Sequence, residues 1–222
     1  MDLFDAINSR RSVRSFSSDA VPQELIQKAV DAAHMAPSAN NRQPWEFIAI
    51  TDRQLIEQLA GIWSNAARRS FARMTSEQTN RHFSQQPSDF SGAHWAAASV
   101  TGDAYRFAYG APVVIVVFIS QPENVENQRS AFLAVQNLLL ALHAQGLAAV
   151  PTTRAVSTQE DADAIRQLLR VPEGFLPVAV IPLGYPAKRP GAIRRRPLEE
   201  VLHWNYFGQR SEHTTGEPSS RG

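Results

Sequence analysis

Three guanidinium groups and a hydroxyl fall within five residues in Arg10-Arg11-Ser12-Val13-Arg14. In an extended chain alternate side chains share a face, so Arg10, Ser12 and Arg14 would point together. Guanidiniums grip phosphate through paired, charge-assisted hydrogen bonds, so the run reads either as a phosphate cradle or as a solvated basic turn. A second segment, Ala36-Pro37-Ser38-Ala39-Asn40-Asn41-Arg42-Gln43-Pro44-Trp45, is a polar loop between a predicted helix and a predicted strand. Its amides could read the edge of a heteroaromatic ring, or the loop could be a plain turn anchored by Trp45. A third, Pro151-Thr152-Thr153-Arg154, ends a predicted strand, where ligands of α/β sheets collect. The fourth, Arg194-Arg195-Arg196-Pro197-Leu198-Glu199-Glu200, reads by itself as solvated surface.

Other chemistries lack their residues. There is no cysteine, which removes thiol catalysis, disulfides and cysteine-ligated zinc or iron–sulfur sites. No two of the 11 glycines form Gly-x-Gly, and no Gly-x-x-x-x-Gly-Lys occurs. A bound nucleotide would therefore need something other than a glycine loop for its phosphate. The six histidines are scattered without metal-ligand spacing and read as structural or surface residues, so no metal is expected. A formal net charge of +1 provides no global field for nucleic acid. The acidic N-terminus and the absence of a long apolar run predict a soluble cytoplasmic protein with no membrane partner.

The elements that must position these segments alternate in type, which predicts an α/β or α+β fold. Short-helix character covers residues 2–9. A helix opens at Val21-Pro22, with Leu25, Ile26, Ala29, Val30 and Ala33 at helical spacing, and ends near Ala36-Pro37. Residues 46–51 read as a strand, and Asp52 can cap a helix to about Ile62. Residues 111–119 read as a buried strand and 147–153 as a shorter one. Residues 128–145 form a helix apolar almost all round, suited to a subunit interface. Ser157 to Glu160 has capping-box spacing before a helix to about Arg170. Residues 176–183 form a strand whose prolines predict interrupted pairing. Trp45 and Trp204 read as packing residues.

Taken together and in this order, the four segments resemble the nitroreductase family of flavoproteins. The resemblance is carried by Arg-Arg-Ser-Val-Arg at 10–14, Ala-Pro-Ser-x-x-Asn-x-Gln-Pro-Trp at 36–45 and Gly-Leu-x-x-x-x-Thr-Thr at 146–153. It continues with Leu-Gly-Tyr-Pro at 183–186 and Arg-Arg-Pro-Leu-Glu-Glu-Val at 195–201. It spans roughly residues 5–63 and 111–205. It implies an α+β fold, with a central, mostly antiparallel sheet flanked by helices in an intertwined homodimer. Residues 1–205 would form one FMN-binding domain and 206–222 a polar tail.

The resemblance also implies site roles. Arg10, Arg11, Ser12, Val13 and Arg14 would surround the FMN phosphate and ribityl chain, with Arg195 joining at the phosphate. Pro37, Ser38, Asn41 and Gln43 match the loop supplied by the other subunit. Pro151, Thr152 and Thr153 match the segment beside the flavin ring, with Thr153 hydrogen-bonding N5. The implied activity is an FMN-dependent oxidoreductase working by ping-pong, from NADH or NADPH to a small acceptor such as a nitroaromatic or a quinone. Its alternatives are reductive dehalogenation, flavin cleavage or non-catalytic flavin binding. Hydride chemistry belongs to the flavin, which fits a sequence without an evident triad or acid–base pair. Residues 64–110 match no family segment and read as a substrate lid or as an extension of the dimer contact.

Overall fold

The computed structural model describes residues 1–72, 110–191 and 195–210. Most of the expected lid, residues 73–109, lies outside them. Residues Met1–Pro190 form one compact unit and Gly191–Gly222 another. The first unit carries α1 (Leu3–Ser9), α2 (Gln23–His34), β1 (Trp45–Ile50), α3 (Arg53–Ala72) and β2 (Val113–Ser120). It continues with α4 (Val125–Ala144), β3 (Ala148–Ala149), α5 (Gln159–Leu168) and β4 (Phe175–Gly184). The sheet order is β1-β2-β4-β3, with every neighbouring pair antiparallel. This is the expected α+β architecture.

β2 is central and buried along nearly its whole length, so its continuous β-branched run serves both faces. Val113, Ile115, Val117 and Ile119 enter the layer shared with α2 and α4. Val114, Val116 and Phe118 enter the layer shared with α3 and α5. Each such side chain removed from water contributes roughly 1.5–3 kcal/mol. On β4 the predicted interruption occurs once. Val117 pairs with Ala179 but Phe118 with Pro177, so Val178 is the extra residue of a bulge. Val178 and Ala179 consequently enter the same core layer. Pro182 stays within the ladder, and its carbonyl accepts from the Val150 N–H at 3.3 Å.

Three helix boundaries differ from the sequence reading: α4 opens at Val125 rather than 128, where the Asn124 side chain accepts from the Glu126 N–H at 3.0 Å, and α3 and α5 differ as follows. Asp52 does cap α3, its carboxylate accepting from the Gln54 and Leu55 N–H groups at 2.8 and 3.1 Å. The helix then passes Ile62, because Trp63, Ala66 and Ala67 prolong the buried stripe begun by Ile56, Leu59 and Ala60. At α5 the cap is Thr158 rather than Ser157. The Thr158 hydroxyl accepts from the Asp161 N–H at 3.2 Å. Ser157 instead closes the preceding short turn by donating to the Arg154 carbonyl at 2.9 Å.

Close approach fixes the remaining edge. A Cβ on Gly184 would lie 2.7 Å from the Pro112 ring and 3.3 Å from the Phe16 Cβ. Phe16 bridges to Pro186, so this glycine admits the segment that carries Arg10–Arg14 to the sheet. Because the proline ring cannot rotate away, Gly184→Ala is expected to cost about 1–3 kcal/mol, read as a lowered urea midpoint at unchanged slope. An unshifted midpoint would show that the edge yields without cost.

In the second unit, Leu198–Glu200 forms a single 3-10 turn, and His203 stacks on Phe207 with ring centroids 4.4 Å apart. Trp204 is 54% exposed, so it is not the packing residue expected from sequence, whereas Trp45 is 4% exposed and is one. Among the described residues no helix is long and apolar enough to cross a membrane.

Candidate functional site

The first and third segments meet at the β3 edge. Ser12 bridges Ala149 in parallel register, and the Val13 N–H donates to the Ala149 carbonyl at 3.3 Å. Val13 is buried while Ser12 and Arg14 are exposed, the alternation of an extended chain. Val13 therefore anchors the run, and its neighbours face outward. Arg10 caps the C-terminal end of α1, and Arg11 donates to the Asn8 and Arg10 carbonyls at 2.7 and 2.8 Å. Both cations act on His143, in the last turn of α4. Burial first, then Arg10 and Arg11, hold its pKa below the usual histidine value. The basic run thus creates a local positive field that net charge does not reveal.

Two residues beyond Ala149 the chain enters Pro151-Thr152-Thr153. Thr152 is held to β4 by a reciprocal backbone pair with Val180, each bond 2.9 Å. Its hydroxyl accepts from the Arg154 N–H at 3.3 Å, while the Thr153 side chain is exposed. A cavity of about 520 Å³ opens here, lined by Phe132, Pro151, Thr152, Thr153, Arg154 and Ser157. Phe132 is a contributor that the sequence reading missed. It sits on the half of α4 turned from the core, where only its 38% exposure distinguishes it from the buried Ala131 and Ala134.

A second hollow of about 430 Å³ shares Arg154 and Ser157 with the first. It also takes in Arg69, Glu160 and Asp161. The Asp161 carboxylate is 1% exposed and is paired with Arg69. Its other oxygen accepts from the Thr158 hydroxyl at 2.6 Å. This pair joins α3 to α5 and holds the turn that carries Arg154.

The second segment is a strained loop elsewhere on α4. Asn40, Asn41 and Gln43 have φ of 53, 54 and 48°. Asparagine tolerates this left-handed region, but glutamine enters it at a cost, and such strain concentrates at functional loops. The Ser38 hydroxyl accepts from the Gln43 N–H at 2.9 Å, and the Gln43 amide donates to the Asn41 carbonyl at 3.2 Å. The Ala39 N–H donates to Ser130 of α4 at 3.3 Å. Pro37, Asn41 and Gln43 are exposed. Ser130 and His143 are separated by roughly 20 Å along α4 at 1.5 Å per residue. The loop and the basic run therefore mark different ends of that helix. Arg195 lies in the second unit, where it is exposed.

The donors fit a flavin mononucleotide. Ser12 and Arg14 face outward with the half-buried Arg10 and Arg11 beside them, a cluster of cations that suits a phosphate dianion. The hydroxyl-lined cavity that follows has a flat aromatic wall in Phe132 for a ring.

A family model described as the nitroreductase family matches residues 7–185. A Methanothermobacter thermautotrophicus protein, whose name proposes an NADH dehydrogenase or NAD(P)H nitroreductase, is 33% identical over 86% of this chain and 81% of its own. The iodotyrosine deiodinase of Haliscomenobacter hydrossis is 30% identical over 84% of this chain and 80% of its own. Among solved structures, an oxidised iodotyrosine deiodinase bound to FMN and 3-iodo-L-tyrosine superposes with a TM-score of 0.73 at 24% identity. That alignment covers 93% of this chain and all of the other. An FMN-dependent nitroreductase from Clostridium difficile R20291 superposes with a TM-score of 0.67 at 21% identity, over 92% of this chain and 99% of its own. At those identities the two superpositions speak for the fold.

Proposed function

The chain belongs to the nitroreductase family, and on that premise we propose that it is an FMN-dependent oxidoreductase acting as a homodimer. The observation that carries the reading is the meeting of the Arg10–Arg14 run with Pro151–Thr153 at the β3 edge. This puts an anion cradle and a ring-sized cavity in sequence along one edge. When bound, FMN supplies the redox chemistry, accepting a hydride from NADH or NADPH and passing reducing equivalents to a small acceptor such as a nitroaromatic or a quinone.

The chain's own residues bind, orient and exclude water. Arg10, Arg11, Ser12 and Arg14 hold the phosphate and ribityl chain; for Arg195 a phosphate role rests on the family resemblance alone. Val13 pins that run to Ala149. Pro151 and Thr152 form a floor fixed to β4, and the Thr153 hydroxyl is the donor offered at flavin N5. Pro37, Ser38, Asn41 and Gln43 serve the partner subunit's site. The exposure of Pro37, Asn41 and Gln43 supports this assignment. So do Phe132 and Leu133, which are 38% and 50% exposed on a helix whose composition predicts burial on most faces.

A dehalogenase reading of the same site is favoured by one observation, the 30% identity to a protein named iodotyrosine deiodinase over most of both chains. One preparation separates the readings. The purified protein should be a yellow dimer that oxidises NADH or NADPH when an acceptor is present. A panel of nitroaromatics, quinones and halophenols then assigns the acceptor class. A colourless monomer that takes up no added FMN would overturn the cofactor and the dimer together. A yellow protein without turnover on the panel would leave a flavin-binding protein.

A further inference from the structure

We propose that His143 is a proton-gated member of the phosphate site, taking up a proton when a phosphomonoester dianion binds Arg10–Arg14. The inference rests on the reading of that run as the FMN phosphate cradle.

The geometry begins at Ser9. Its hydroxyl has one proton, and that proton is directed at the Asp5 carbonyl at 2.5 Å. The His143 Nε2 lies 2.7 Å from the Ser9 hydroxyl oxygen. The serine oxygen must therefore accept, and the ring must carry its proton on Nε2. This bond is the same for a neutral and a cationic ring, so a second proton on Nδ1 breaks nothing at Ser9.

The charges around the ring leave its cation disfavoured. Burial and the positive charges of Arg10 and Arg11 disfavour the cation. The C-terminal end of α4 favours it, because unpaired carbonyls there carry a partial negative charge. The acids of α1, Asp2 and Asp5, are exposed, as are Glu24, Lys28 and Asp31 of α2, which packs on the same helix. β3 contributes only Ala148 and Ala149. Among the described residues, Arg10 and Arg11 are the charges that act on the ring, and a phosphate dianion seated on them opposes their effect.

The sign follows by linkage. The histidine pKa is lower in the free protein than in the complex, so binding takes up protons at pH values between the two. The affinity that His143 adds is fully present below the free-protein pKa and is lost as pH rises through that of the complex. The phosphate's own ionisation, near pH ~6, runs the other way but is common to wild type and variant. The expected selectivity is for a phosphomonoester over the same flavin without its phosphate.

The test uses FMN-free protein and two ligands, FMN and riboflavin. Calorimetry at about pH 6.5, in buffers of different ionisation enthalpy, counts protons taken up on binding. Wild type should take up more than His143→Gln, whose amide still donates to Ser9. The ratio of variant to wild-type Kd for FMN should shrink from acid to alkaline pH, by up to about tenfold per pKa unit of coupling. Riboflavin should show no such difference. NMR titration of the His143 ring in wild type should give a higher pKa with FMN than without, which decides the matter even if the variant fails to fold. Equal proton counts, a flat ratio and an unmoved ring titration with FMN bound would overturn the inference and leave the cofactor reading intact. No FMN binding at any pH would overturn both.

Discussion

Arg69→Met is expected to destabilise the fold by about 3–5 kcal/mol, the cost of leaving a buried carboxylate without its counter-charge. Asp161 is 1% exposed, and Arg69 spans from α3 to reach it on α5. With Arg69 gone, the Thr158 hydroxyl still donates to one carboxylate oxygen, but the other is stranded. The comparison is Arg53→Met. Arg53 pairs with Glu57 at 3.0 Å, and both side chains are 53% exposed. A pair of that kind is worth about 0.2–1 kcal/mol. Urea denaturation of the two variants should therefore separate widely in midpoint. The double variant Arg69→Met/Asp161→Leu should recover most of the loss, because a buried ion pair can give way to apolar packing of similar volume. Equal midpoints for the Arg69 and Arg53 variants would mean that the α3–α5 pair carries no special stability. The same pair holds the turn bearing Arg154, so FMN-loaded Arg69→Met should also show altered kcat/KM at temperatures where it remains folded.

The second large effect concerns the cradle. Arg10→Ala or Arg14→Ala should each remove one charge-assisted contact to the phosphate, about 1.5–3 kcal/mol. That corresponds to roughly tenfold to a hundredfold weaker FMN binding. Arg195→Ala should behave similarly on the family assignment, while Arg210→Ala should bind as wild type. Flavin fluorescence titration reads all four. Riboflavin supplies the internal control, since a variant that merely perturbs the edge would weaken both flavins, whereas loss of a phosphate contact weakens FMN alone. Wild-type FMN affinity in all three site variants would remove the phosphate reading of the basic run.

Much of the architecture is written in local pattern. The β2 strand is legible because an unbroken β-branched run suits only a strand buried on both faces. The second helix is legible from Pro22 and the 3.6-residue recurrence of its apolar positions. The four segments are legible because residue type and order survive in one dimension, and their agreement in order pointed to the family that the comparison with its model shows. What pattern misplaced were boundaries. The end of α3 depended on Trp63, Ala66 and Ala67 finding a sheet face to cover. The cap of α5 moved to Thr158 because Ser157 was already committed to the preceding turn. The bulge at Val178 is visible only once β4 is laid against β2.

The site divides in the same way. Arg10–Arg14 and Pro151–Thr153 could be named from sequence, since each is a compact run whose residue types state their chemistry. That they share one edge is a fact of the tertiary fold, which brings Ser12 to Ala149. His143 looked like one of six scattered histidines. It meets the start of the basic run only because the ends of α4 and α1 place Ser9, 134 positions away, at its ring. Arg69 and Asp161 are 92 positions apart and carry no local signal of pairing. Interactions between residues two to four apart follow from sequence, because chain geometry alone sets their separation. Interactions between distant residues depend on how whole elements pack, and in this protein those decide the field at the basic run and the stability of the turn beside the cavity.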